Sequence, residues 1–160
     1  MVNIHIIAVG KIKEKYLTGA INEYCQRLSA FCKLNIIELK DEPIPQNASN
    51  AQIAEVLTKE ANSILAKIPK DSYVFALTIE GKQLSSEDLA EQITKLQVDG
   101  KSSLTFIIGG SFGLAEEVKS RANAQLSFSK MTFPHQLFRV MLVEQIYRAF
   151  KIMNGQTYHK

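Results

Sequence analysis

Alternation constrains this chain more than any other feature. Apolar runs of strand length take turns with segments of helical spacing from one end to the other. Val2–Ala8 is apolar and stops at Gly10, as a buried strand does. Leu17, Ile21, Tyr24, Leu28 and Phe31 then recur at helical spacing over Tyr16–Phe31. Leu34–Leu39 reads as a second strand, and residues 41–49, with Pro43, Pro45 and Asn47, as a loop. Ser49 and Gln52 have the spacing of a capping box. They open a second helix carrying Ile53, Val56, Leu57, Ala61, Ile64 and Leu65. Tyr73–Ile79 is a third strand, after which Gly81 is expected to turn the chain. Ser85 to Asp88 starts a third helix that runs to Leu96. Leu104–Ile108 is a fourth strand, closed by Gly109-Gly110-Ser-Phe-Gly113. A short helix over Ala115–Arg121, a brief strand over Leu126–Phe128 and an irregular stretch over Ser129–Gln136 follow. Leu137–Met153 is a long last helix, and residues 154–160 form a polar tail.

Strands alternating with helices predict an α/β fold with a mainly parallel sheet and helices on both faces. No repeat or linker interrupts residues 1–160, so one domain is expected. A chain of this size buries roughly 70% of its unfolded surface, enough for a full core. The last helix carries more apolar surface than one sheet face requires. Glu144, Arg148 and Lys151 share one side, while Leu137, Phe138, Val140, Met141, Leu142, Val143, Ile146, Tyr147, Phe150, Ile152 and Met153 fill the rest. Burial inside the domain is one reading. A subunit interface around Val140, Leu142, Val143, Ile146 and Phe150, and hence a homodimer, is the preferred one.

Composition narrows the class further. Hydrophobic residues make up 46% and charged residues 22%, which excludes a disordered chain. No apolar run reaches the ~20 residues of a membrane span. The N-terminus lacks the basic region and cleavage site of a signal peptide, so a cytoplasmic location is expected. Cys25 and Cys32 match no metal spacing and read as plain buried thiols; no metal is expected. The formal charge of +3 is unevenly spread: residues 1–15 carry a net +2 and residues 131–160 a net +3. A fold that joins the two ends would own a basic face, compatible with an RNA partner without demanding one.

In open α/β sheets, ligands bind beyond the carboxyl ends of the strands. Leu77–Lys82, Gly109–Gly113 and Ser129–Gln136 occupy such ends. The glycine turn precedes a helix, and glycines let a ligand approach the backbone; a tight turn with positive φ is the equal alternative. It has no Lys-Ser/Thr of a Walker loop and no G-x-G-x-x-G pattern, so a pyrophosphate site is poorly supported. Met131–His135 offers backbone groups that could hold a nucleobase; the alternative is a simple connector. The tail sets an aromatic, an imidazole and a cation side by side in Tyr158, His159 and Lys160. Such groups stack on bases, move protons and hold phosphates, although chain ends are often frayed. His5 reads as structural, and Glu80, Glu116 and Glu117 form no convincing pair.

Several segments together resemble one family. They are Val-Gly-Lys-Ile-Lys near the N-terminus, Ile107–Gly113, Leu126–His135, Arg139, the stretch Glu144–Phe150 and the terminal Tyr-His-Lys. The family is the ribosomal RNA large-subunit methyltransferase H group of the SPOUT methyltransferases, and the likeness spans the whole chain. It implies an α/β domain with a C-terminal trefoil knot, which periodicity could not have suggested. It also implies a homodimer and S-adenosylmethionine-dependent methylation of N3 of a pseudouridine in 23S ribosomal RNA; because a single small domain of modest charge is poorly equipped to find one base unaided, assembled ribosomes are the expected substrate. By resemblance, Leu77, Gly109, Phe128, Ser129, Lys130, Met131, Thr132 and Phe133 contact the cofactor; Gly110 is added as their neighbour.

Methyl transfer from a sulfonium is an in-line displacement, and alignment can contribute roughly 7–11 kcal/mol. N3 of pseudouridine carries a proton that a base must accept. His159 is the first candidate, with Tyr158 as a stacking or orienting partner and His135 as the second candidate. Arg139 and Lys160 are expected to hold RNA phosphates. Two other classes are weighed: a nucleotide-dependent oxidoreductase, disfavoured by the incomplete glycine motif, and a non-catalytic ribosome-binding factor of the same fold.

Overall fold

A computed structural model of the chain describes residues 1–159. Lys160, one of the two expected phosphate contacts, lies outside the described residues. Five strands form one sheet: β1 (Val2–Val9), β2 (Cys32–Leu39), β3 (Tyr73–Gln83), β4 (Ser103–Ile108) and β5 (Ala124–Ser127). Their order is β2-β1-β4-β3-β5, and every pairing is parallel. The helices are α1 (Lys15–Leu28), α2 (Asn50–Lys67), α3 (Ser86–Val98), α4 (Glu116–Arg121) and α5 (His135–Met153).

Strand periodicity divides the core in two. Ile4, Ile6 and Ala8 of β1 face one way and pack with Ile21 and Leu28 of α1, Ile93 of α3 and Leu142, Ile146 and Phe150 of α5. Ile7 and Val9 face the other way, where Ala61 and Ile64 of α2 and Val118 of α4 cover them. Helices thus lie on both faces, as parallel strands require.

Both expected capping boxes form. Ser49 accepts from the Gln52 amide while Gln52 reaches back, and Ser85 and Asp88 do the same for α3. Helix α1 stops at Leu28, short of Phe31. Phe31 keeps the apolar spacing from the following turn, where it stacks on Phe150 with ring centres 5.9 Å apart. Both cysteines are free. Burial pushes the Cys32 thiol up to about 12, which suits an inert core side chain.

The last helix departs from the preferred sequence reading. Leu142, Val143, Ile146 and Phe150, expected at a subunit interface, are at most 3% exposed within one chain. The reason is the position of α5. It packs against both α1 and α3 while lying on the sheet, so three of its sides are apolar within the subunit. Its solvent side carries Glu144, Arg148 and Lys151, with half-buried Val140 and Met141 nearer its start.

Candidate active site

Beyond the carboxyl ends of β3, β4 and β5 lies a cavity of about 400 Å³. Thr78, Ile79 and Glu80 reach it because β3 does not run straight. Leu77 and Lys82 both register with Leu126 of β5, so the residues between them bulge out of the ladder. Gly81 sits inside that bulge instead of ending the strand. A Cβ there would lie 2.8 Å from the Gln125 carbonyl carbon, the Leu126 amide nitrogen and Thr78 Oγ1. Glycine is what lets the two strands rejoin.

The turn after β4 forms the second wall. Gly113 has φ +77° and donates its amide to the Gly110 carbonyl at 3.1 Å. A Cβ on Gly109 would stand 2.5 Å from the Gly113 carbonyl oxygen, and one on Gly110 would stand 3.2 Å from the buried Glu60 carboxyl. The glycines are therefore required by the turn's own close packing, the tight-turn alternative of the two that the sequence left open. Burial raises the Glu60 carboxyl above the usual glutamate range, with nearby Asp41 and Glu42 adding to the rise.

The third wall is the segment between β5 and α5. Ser127 Oγ donates to the Ser129 carbonyl and the Met131 amide donates to Ser129 Oγ, each at 3.0 Å. Among the described residues, residues 129–133 make no backbone-to-backbone hydrogen bond. Phe128 and Phe133 pack on Phe138, with centroids 4.9 and 6.2 Å away, giving an apolar backing to a polar main chain. Glu80 and Lys119 close one side as an ion pair of 2.6 Å. Each holds the other charged: the carboxyl falls below its ordinary range and the ammonium rises above its own.

Eight of the nine expected cofactor positions line this cavity: Leu77, Gly109, Gly110, Phe128, Ser129, Met131, Thr132 and Phe133. Lys130 is exposed and does not. His135 also lines it, whereas Tyr158 and His159 do not. The tail folds back on its own subunit instead. Tyr158 donates to Glu144 Oε1 at 3.1 Å and lies under the Arg148 guanidinium, 4.7 Å from the ring centre. His159 sits between Arg148 Nη1, 3.1 Å from Nδ1, and Glu87 Oε1, 2.5 Å from Nε2. Arginine only donates, so Nδ1 accepts and Nε2 carries the proton toward Glu87. The tail is docked, and the lone pair a base would use is occupied. Burial and the contacts with Tyr24 and Glu144 push the Tyr158 phenol well up, so it serves as a donor and not as a base.

Arg139, expected at a phosphate, is 2% exposed and points inward to Glu38 and the Gly10 carbonyl. Lys119 and Phe138 line the cavity from outside the three strand-end segments, and Thr78, Ile79, Glu80 and Phe112 lie within those segments without having been singled out. The strand-end rule pointed to Thr78, Ile79 and Glu80, but the bulge that presents them left no mark in the periodicity.

A family profile described as predicted SPOUT methyltransferase matches residues 2–159. The chain belongs to that family. It is a methyltransferase. It is 59% identical to a ribosomal RNA large subunit methyltransferase H of Clostridium botulinum (strain Alaska E43 / Type E3) over 158 residues, 99% of each chain. A protein of the same name from strain Kyoto / Type A2 is 57% identical over the same span. Among solved structures, a probable methylase family protein from Haemophilus influenzae Rd KW20 is 15% identical, covering 99% of this chain and 70% of that one. At a TM-score of 0.49 that likeness carries no argument. Among the described residues, no helix is long and apolar enough to cross a membrane. Among the described residues, no group of three or more His, Cys, Asp or Glu side chains could hold a metal ion.

Proposed function

We propose that this methyltransferase uses S-adenosylmethionine to methylate N3 of a pseudouridine in large-subunit ribosomal RNA, acting in the cytoplasm as a homodimer on assembled ribosomes. The knot of the family and a single domain over residues 1–160 belong to the same reading. The observation that carries it is the third cavity wall, in a chain so close to large-subunit methyltransferases. Main-chain groups over 129–133, none of them paired with another backbone group among the described residues, stand beside aromatic rings, which suits an adenine edge and its plane. The cavity volume lies within the roughly 300–1,000 Å³ of small-ligand sites. Nothing in the walls is built for a pyrophosphate, and S-adenosylmethionine has none.

When bound, S-adenosylmethionine supplies an electrophilic methyl group on a sulfonium. The chain's part is to align that methyl with N3 and to take up the N3 proton. His135 already stands in the cavity wall. His159 becomes available once its bond to Arg148 opens, and the partner subunit's cavity is then a place for the tail to act. Two features support a dimer that completes the site. The candidate catalytic residues do not converge within one chain, and Ile79, Phe112, Met131 and Leu137 leave large apolar side chains exposed around the cavity and the start of α5. A ribosome-binding factor without catalysis would not need an open, amide-lined cavity.

The deciding experiment incubates the protein with labelled S-adenosylmethionine and ribosomes lacking the modification, then maps the methylated nucleotide. Label at N3 of one large-subunit pseudouridine is expected. Tight ribosome binding with no label would favour the non-catalytic factor.

A further inference from the structure

Gly10 follows β1 and leads into a loop that carries Lys11 and Lys13, with Lys15 opening α1 just beyond it. All three lysines are exposed, and none has an ion-pair partner among the described residues. Exposed lysines are ordinary; the backbone beneath these is not. Arg139 Nη2 donates to the Gly10 carbonyl at 2.9 Å, and Nη1 meets Glu38 Oε2 at 2.5 Å. The same Glu38 oxygen accepts the Ile12 amide at 3.0 Å. Gln136 Oε1 accepts the Lys13 amide, also at 3.0 Å. Successive main-chain positions are thus held from three sides, while the Ile12 side chain packs against the core and Lys11 and Lys13 face solvent.

Arg139 is buried while the Glu38 side chain is 37% exposed, so the arginine's desolvation offsets much of an attraction that solvent already weakens. This pair also leaves Arg139 Nε buried without a hydrogen-bond partner. What it clearly supplies is a fixed shape for an exposed, positively charged loop. The location suits a use for that shape. Loops after β1 and β4 leave neighbouring strands toward opposite faces of the sheet, which opens a crevice between them. Gln136 adjoins His135 in the cavity wall, and Val9 Cγ1 would touch a Cβ on Gly110. The lysine loop therefore borders the cavity. Glu14 lies within the loop, and the Asp41 carboxyl lies beside Gly10; neither forms an ion pair with these lysines.

We infer that residues 11–15 form a preshaped phosphate-binding edge for the RNA substrate, and that Arg139, Glu38 and Gln136 are positioning residues that hold it. This rests on the RNA reading above. Arg139 contributes to RNA binding through the loop and touches no phosphate itself. Fixing the loop before binding lowers the ordering cost that free lysines would carry.

The test is a salt titration of binding to ribosomes lacking the modification. Lys11→Gln with Lys13→Gln should weaken binding about tenfold near physiological salt. The slope of log K against log[salt] should fall by about 1.4–1.8, from roughly 0.7–0.9 per lost phosphate contact. Melting temperature and S-adenosylmethionine affinity by calorimetry should stay at wild-type values. Glu38→Gln separates shape from charge. It removes a negative charge, so simple attraction predicts tighter RNA binding, whereas a lost positioning bond predicts weaker binding. Gln136→Ala should weaken binding in the same direction with the net charge unchanged. An unchanged salt slope in the double lysine variant overturns the phosphate edge. Equal or tighter binding by Glu38→Gln overturns the positioning role. Either result alongside normal wild-type methylation leaves the proposed function standing; wild-type protein that neither binds nor methylates ribosomes overturns that function instead.

Discussion

Gly81→Ala should destabilise this protein while Gly19→Ala stabilises it, although the chemical change is the same. The added methyl at residue 81 meets three atoms at 2.8 Å, and two of them belong to the β5 backbone. Ordinary contact starts near 3.4 Å. Strand β5 would have to retreat by about 0.6 Å, which the ladder resists. Overpacking of this kind costs about 1–3 kcal/mol, and each weakened ladder bond adds about 0.5–1.5 kcal/mol. A total near 2–4 kcal/mol follows, and at about 2–4 °C per kcal/mol for a chain of this length the melting temperature should fall by about 5–15 °C. Residue 19 is the control. It lies inside α1 with nothing within 4 Å of a new Cβ, so alanine there should add about 0.5–1 kcal/mol from reduced backbone entropy. Calorimetric melting of both variants measures the effect. Because residues 78–80 line the cavity, Gly81→Ala should also weaken S-adenosylmethionine binding measured well below its melting point, and Gly19→Ala should not. If Gly81→Ala melts within 2 °C of wild type, as an approximate resolution of such a scan, the reasoning from the bulge is wrong.

Four further outcomes follow from named contacts. Glu60 has a raised folded-state pKa, so its ionised form destabilises the fold at high pH and that penalty disappears as pH falls through the folded value. Glu60→Gln should therefore melt higher than wild type at pH 8, with the gap closing toward acid, in a pH series of thermal melts. Phe150→Ala should cost about 3–5 kcal/mol in denaturant unfolding, since the ring is 3% exposed and stacks on Phe31. Deleting residues 158–160 should leave folding and S-adenosylmethionine affinity largely intact but cut ribosome methylation severely. His159→Ala should lower turnover about 10²–10⁴-fold if the imidazole takes the N3 proton, and recovery in His159→Gln would assign it to positioning and direct the search for the base to His135.

Much of the site was legible before the fold was known. The cavity lies where strand ends were expected to gather, and Leu77, Gly109 and all of the Phe128–Phe133 segment but Lys130 line it. The purpose of the glycines was less legible, because Gly109 and Gly81 answer to backbone atoms 4 and 44 residues away. Glu80 reads from sequence as one of three scattered carboxylates, and only the bulge and α4 bring it to 2.6 Å from Lys119.

Element type and order were settled within short windows of sequence: apolar period, cap residues such as Ser49 and Ser85, and glycine or proline at the ends. Those signals depend on neighbours three or four residues apart, and chain connectivity places such neighbours together in any fold. The tertiary structure alone set β4 between β1 and β3, sank Arg139 beneath the Gly10 loop and docked the tail on α3 and α5. It also turned the apolar surplus of α5 into a core between α1 and α3. A hydrophobic side chain records that it will be buried and not what will bury it. That choice is made by long-range packing among faces that are alike in sequence and different only in where the sheet puts them.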